Sequence, residues 1–212
     1  MTIRAKLIAA IMLAVIGPVV TIGVALAAFG TLDERSDEVQ RAGSRQARAL
    51  ELKFAVTDMN GWQTAYGYDG GRSRATFVAS AEQTQELLEA ARGELRAPRE
   101  RALLAELGTA FAAFMDLDDD AFRALQAGRE AETRRILLGP EIRNFQTMAR
   151  AAGALAVEQD RRAAAAAREF DDARTMARRE LVAVAIGAGV VIVLLLITAQ
   201  DVVRLALERR AT

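Results

Sequence analysis

The amino-acid sequence predicts an all-α protein in which two transmembrane helices flank an extracytoplasmic, antiparallel four-helix bundle of coiled-coil type. Three observations predict it. Two long runs, Leu7–Phe29 and Leu181–Ala199, carry no charge. The stretch between them repeats apolar residues at steps of three and four, the period of a helix with one buried face. Only three prolines, Pro18, Pro98 and Pro140, interrupt a 212-residue chain rich in Ala, Leu, Glu and Arg, which is the composition of long helices.

In chain order, residues 1–6 form a short N-terminus with Arg4 and Lys6, and residues 7–29 the first span. At 1.5 Å per residue such a run crosses about 30 Å of hydrocarbon. Gly17-Pro18 inside it marks a kink, tolerated where neighbours satisfy the freed carbonyl. Ala25-Leu26-Ala27 fits a signal-peptidase site. The apolar stretch before it is longer than a usual signal core and flows straight into a helical pattern, which favours an uncleaved anchor. Residues 30–180 form the central domain, 181–199 the second span and 200–212 the tail. Positive charge before the first span (Arg4, Lys6) and after the second (Arg204, Arg209, Arg210) places both termini in the cytoplasm. Arg178 and Arg179 on the opposite flank weaken the rule for the second span. An even number of spans keeps the termini together, with residues 30–180 outside.

Turn signals divide the central domain at Gly70-Gly71, Ala97-Pro98, Gly128 and Gly139-Pro140. The first helix continues out of the first span through Leu52, Val56, Met59 and Tyr66. The second, about 73–96, carries a seam of Phe77, Ala81, Thr84, Leu88, Ala91 and Leu95. The third starts at Pro98, a residue suited to a first helical turn, with Leu103, Leu107, Ala110, Phe114, Leu117 and Ala121. The last begins near Pro140 and runs Ile142, Phe145, Ala149, Ala152, Ala156, Gln159, Ala163, Ala166, Phe170, Ala173 and Ala177 into the second span without a breaker. Heptad seams need partners, and four helices with short connections supply them to one another.

Composition excludes several functions. With neither Cys nor His, the chain has no disulfides, thiolate chemistry, Cys/His zinc site or His-based acid–base catalysis. A formal net charge of zero gives nucleic acid no electrostatic footing. No Gly-rich phosphate loop or strand–turn–helix pattern is present to mount catalysis. The expectation is a non-enzyme without cofactor or metal. Asp116, Asp118, Asp119 and Asp120 lack the Gly and closing Glu of a calcium loop and read as a solvated acidic face of the third helix.

The candidate ligand-binding residues cluster at one place. Trp62, Tyr66 and Tyr68 hold the chain's one Trp and both its Tyr within two turns. Asp58, Asn60, Gln63 and Asp69 lie among them, and Arg72 and Arg74 just past the turn. Rings beside polar groups suit a small polar ligand, and Arg clamps a carboxylate bidentately. The plainer reading is that Met59, Trp62 and Tyr66 are core, with the polar residues capping or solvated. Arg41, Arg45 and Arg48 form a second stripe, read as a solvated face with Asp37 four residues before Arg41.

The order span, four-helix bundle, span resembles the sensor half of methyl-accepting chemotaxis proteins over nearly the whole chain. The string Asp58-Met59-Asn60-Gly61-Trp62-Gln63-Thr64-Ala65-Tyr66 is similar to a segment in the first sensor helix of many actinobacterial receptors, some diguanylate cyclases among them. The resemblance implies a homodimer in the membrane whose small-molecule ligand shifts the last helix and the second span. It also implies that arginines of the first helix hold an acidic ligand across the dimer. Arg41, Arg45 and Arg48 lie only about 16–27 Å along the helix from Gly30, nearer the membrane than that family's sites. A further departure is the tail. Such receptors continue into a HAMP relay that opens with a proline, whereas Gln200–Thr212 has no proline and one short amphipathic segment, Val202, Val203, Leu205 and Leu207. The expectation is a truncated receptor or one that acts through other chains. The alternative is a non-sensing, membrane-anchored scaffold or adaptor that binds other chemoreceptors, or a receptor fragment without output.

Overall fold

The computed structural model describes residues 3–208, side chains at 3–7, 9, 10, 13, 201–203 and 205–208 excepted. Arg4, Lys6, Arg209, Arg210 and the tail side chains Val202, Val203, Leu205 and Leu207 therefore lie outside the described side chains. The chain is all-helical, and no strand occurs among the described residues. Helix α1 spans Ile3–Tyr68, α2 Arg74–Glu94, α3 Pro98–Gln126, α4 Glu130–Ile136 and α5 Ile142–Glu208. A π-helical turn, Leu137–Glu141, joins α4 to α5.

The expected break at Gly139-Pro140 is thus corrected: the chain stays helical there. A π turn bonds i to i+5 and so accommodates a residue that an α turn cannot, which carries Pro140 through without a loop. The true ends have local causes. Gly70 and Gly128, at φ 72° and 70°, adopt the left-handed conformation that only Gly takes without strain. The next residues close 6→1 bonds, Gly71 N–H to Tyr66 O at 2.8 Å and Arg129 N–H to Ala124 O at 2.9 Å, as in a Schellman cap. At the head of α2, Asp69 Oδ2 accepts from the Ser73 N–H at 3.0 Å. At the head of α3, Pro98 occupies the first turn and the Glu100 carboxylate accepts from the Ala97 N–H at 2.8 Å.

The chain divides into two compact units. Residues 39–166 form one, with a single core drawn from α1, α2, α3 and α5. Leu52, Val56, Met59 and Tyr66 of α1 are fully buried in it, with Phe77 and Leu88 of α2, Leu107 and Phe114 of α3, and Met148, Ala152 and Leu155 of α5. Each Leu or Phe so buried stabilises by about 1.5–3 kcal/mol. Every seam residue expected of α2, from Phe77 to Leu95, is buried. On α3 the expectation of a solvated acidic face fails at Asp118, which is fully buried. Its position four residues after Phe114 and three before Ala121 places it on the core face.

The other unit holds the chain ends, residues 1–38 and 167–212. Within it Arg35 pairs with Glu169, and Ala28 and Ala177 are buried. Many large apolar side chains here stand uncovered, Leu26, Phe29, Ile186 and Leu196 each more than 60 % exposed. Both α1 and α5 contain stretches long and apolar enough to cross a membrane.

Candidate functional site

The sequence places nine candidate residues in one string; the helical period distributes those of α1 over three faces, while Asp69 and Arg72 fall in the turn and Arg74 on α2. Residues three or four apart share a face, whereas residues one or two apart do not.

The first face looks into the core. The Tyr66 hydroxyl donates to Asp118 Oδ1. Arg74, from the first turn of α2, pairs with Asp118 Oδ2 and reaches Asp119 Oδ1 at 3.2 Å. The Arg74 guanidinium also lies against three rings, with its carbon 5.1, 4.8 and 4.7 Å from the centroids of Tyr66, Phe77 and Phe122. Those distances suit cation–π attraction. A buried carboxylate is thus matched by a cation and a phenol, which is how a fully enclosed charge becomes tolerable. Burial pushes the Asp118 carboxyl above its usual range, and the Tyr66 and Arg74 hydrogen bonds oppose that rise. Burial and the Asp118 charge drive the Tyr66 phenol upward as well.

The second face is a cavity of about 370 Å³. Asn60, Gln63, Thr64 and Tyr68 of α1 line it, opposite Thr133 and Arg134 of α4, Leu137 and Leu138 of the π turn, and Ile142 of α5. Gln63 is the deepest of the α1 residues, 4 % exposed, whereas Tyr68 at the rim is 87 % exposed. The lining mixes apolar side chains with polar and charged ones, and the volume is in the range of small-molecule pockets. Behind the wall, Gln63 Nε2 donates to Glu141 Oε1 at 2.5 Å. Glu141 closes the π turn and is 1 % exposed. Its carboxyl is pushed up to about 8 by burial first and by the Asp118 charge second.

The third face is outward. Phe54, Asp58, Gly61 and Trp62 border an open depression, and Ser80 Oγ donates to Asp58 at 2.9 Å. Trp62 is 38 % exposed. Asp69 and Arg72 belong to the turn. Asp69 accepts from Ser73 Oγ at 2.5 Å, which with the Ser73 and Arg72 backbone groups holds its carboxyl below the usual range. Arg72 Nε donates to the Asp69 carbonyl at 3.0 Å. The structure therefore joins Asn60, Gln63 and Tyr68 in one cavity, sends Tyr66 and Arg74 to the core, and separates Asp58 and Trp62 from both. On the other stripe, Arg48 pairs with Glu94 of α2.

The sequence reading passed over Glu141, Thr133 and Leu137, and placed Asp118 on a solvated face. For Asp118 and Glu141 a signal existed: both fall on heptad positions, 114–118–121 and 141–145–148. Their charge argued against a buried assignment.

One pH effect follows. A carboxyl whose folded value is raised binds its proton more tightly in the folded state, so stability falls as pH climbs from the unfolded value toward the folded one. Glu141 gives a window from about 4.5 to about 8, and Asp118 acts with the same sign. The unfolding midpoint of the full chain in detergent is expected to fall across pH 5–8, with a slope of up to about 1.4 kcal/mol per pH unit for one proton. Glu141→Gln, which keeps shape and neutrality, should flatten that fall.

No family model, curated protein or solved structure matches the chain.

Proposed function

We propose that the protein is a transmembrane sensor of chemoreceptor type. Its spans anchor it in the plasma membrane with both termini in the cytoplasm, and residues 30–180 form an extracytoplasmic, antiparallel four-helix bundle. A small molecule bound in the cavity displaces α5 and, with it, the second span. One observation carries the reading: α5 is a single helix from Ile142, in the cavity wall, through the uncharged run Leu181–Ala199. In this reading, a small shift at the head of α5 is carried along the continuous helix into the span. The ligand enters between α1 and the π turn, and Asn60, Gln63, Thr64 and Thr133 provide its hydrogen bonds.

The working form is a homodimer through the outer face of α1. Ala47, Leu50, Phe54, Thr57 and Gly61 follow heptad spacing, and all are exposed. A two-helix seam has this pattern. The same face supports the second reading, a membrane-anchored scaffold or adaptor that docks other receptors and binds no ligand.

The discriminating experiment uses the full chain in detergent with a panel of small metabolites. A sensor shows a rise in thermal midpoint with at least one compound, about 2.7 kcal/mol of stabilisation at a hundredfold excess over Kd, lost in Gln63→Leu and kept in Gln85→Ala. A broad panel without any shift would leave the scaffold as the better account.

A further inference from the structure

Glu141 is the buried titratable group that ligand binding in the cavity leaves without a task. It is the last residue of the π turn and stands directly before α5. One hydrogen bond reaches it, from Gln63 Nε2 to Oε1, and Oε2 has no hydrogen-bond partner among the described residues. The groups that face it come from every neighbouring helix: Gln63 and Tyr66 from α1, Arg74 from α2 and Asp118 from α3. Glu130 and Arg134 of α4 line the same cavity as Gln63. Of these, Arg74 is already matched to Asp118 and Asp119, while Asp118 opposes a second negative charge. A carboxylate with one donor and a like charge nearby is not held ionised in a dry interior, but a neutral carboxyl is. Its ionisation calls for water or for movement.

Glu141 ends Leu137–Glu141, the one π-helical segment among the described residues. Pro140 bars an α turn here, so loss of the i→i+5 bonds opens the turn and lets α4 change register against α5. The turn is in close contact with α1: a Cβ added at Gly67 would stand 2.9 Å from Leu137 Cδ1. A register change in the turn therefore alters both the cavity wall and the head of α5.

We propose that Glu141 is a proton-operated latch, whose loss of a proton releases the π turn and displaces the head of α5, making the protein responsive to pH on the side where residues 39–166 lie. Only the consequence of that displacement, a signal through the second span, rests on the sensor reading. The latch itself does not.

The test uses the full chain in lipid nanodiscs, with pH as the sole variable. The sequence has no Cys, so Tyr68→Cys and Leu138→Cys, at positions 87 % and 67 % exposed, take a pair of nitroxide labels across the cavity. The inter-label distance distribution is measured by pulsed electron resonance between pH 6 and 9.5. The expected result is a shift in the main distance with a midpoint near 8, the value to which the Glu141 carboxyl is raised. Glu141→Gln should hold the low-pH distribution throughout, at unchanged helical circular dichroism. Gln63→Leu removes the donor that favours the ionised form, so the midpoint should rise by roughly one pH unit. A distribution constant over the range would overturn the latch, as would the same shift in Glu141→Gln. Should Glu141→Gln fail to fold, an unmoved midpoint in Gln63→Leu overturns it equally. A distance change without any pH response in cells would instead count against the sensor reading and leave the latch standing.

Discussion

Replacing Asp118 with alanine is expected to destabilise the 39–166 unit by about 3–5 kcal/mol, the cost of breaking a buried pair from one side. The substitution leaves the Arg74 guanidinium enclosed by the Tyr66, Phe77 and Phe122 rings without its matched charge. It also strips the Tyr66 hydroxyl of its acceptor. Asp119→Ala is the internal control, because Asp119 touches the same arginine but its side chain is 68 % exposed. Its effect should stay within about 1 kcal/mol, as for exposed ion pairs. Urea unfolding of the full chain in detergent, followed by helical circular dichroism and by the fluorescence of Trp62, the chain's one tryptophan, reads both. Equal effects at the two positions would mean that Arg74 is held by its exposed contact and that the buried layer is not the anchor described here.

The second large effect concerns the spans. Val190 lies at the middle of the uncharged run Leu181–Ala199 and is 55 % exposed. Val157, in the other unit of the chain but on the same helix α5, is 52 % exposed. By exposure alone an arginine should be tolerated equally at both. If lipid surrounds residue 190, Val190→Arg costs about 2.5–3.5 kcal/mol in insertion, while Val157→Arg costs almost nothing. The fraction of protein retained in membranes after alkaline extraction should drop for Val190→Arg alone. Loss of neither or of both would remove the second span from the account.

Much of the helical layout was legible because it follows from period and punctuation. The α2 seam from Phe77 to Leu95 reads directly as every third or fourth residue, and these side chains are buried. Gly70 and Gly128 mark their turns since positive φ requires them. Pro140 misled for a physical reason: proline breaks an α ladder, but a π turn removes the conflict, and no sequence signal separates the two. The site was legible only as a neighbourhood. Proximity along α1 gathered Asp58, Gln63, Tyr66 and Tyr68, but a helix turns neighbouring residues by about 100°, so the cluster splits among cavity, core and surface. The partners that complete it, Asp118 on α3 and Glu141 beside Pro140, came from elsewhere in the chain. Their carboxylates, each buried against expectation, are affordable only because Tyr66, Arg74 and Gln63 meet them in space, which local sequence does not encode.

The measurement that tests the sensor account most directly is the side of the membrane on which each part lies. Because the chain has no native Cys, single cysteines at Gln85 and Arg204, both exposed, report independently to a membrane-impermeant maleimide applied to intact cells. The account predicts that Gln85→Cys is labelled in intact cells and Arg204→Cys only after the membrane is opened. Protection of Gln85→Cys until lysis, or labelling of Arg204→Cys in intact cells, would contradict it.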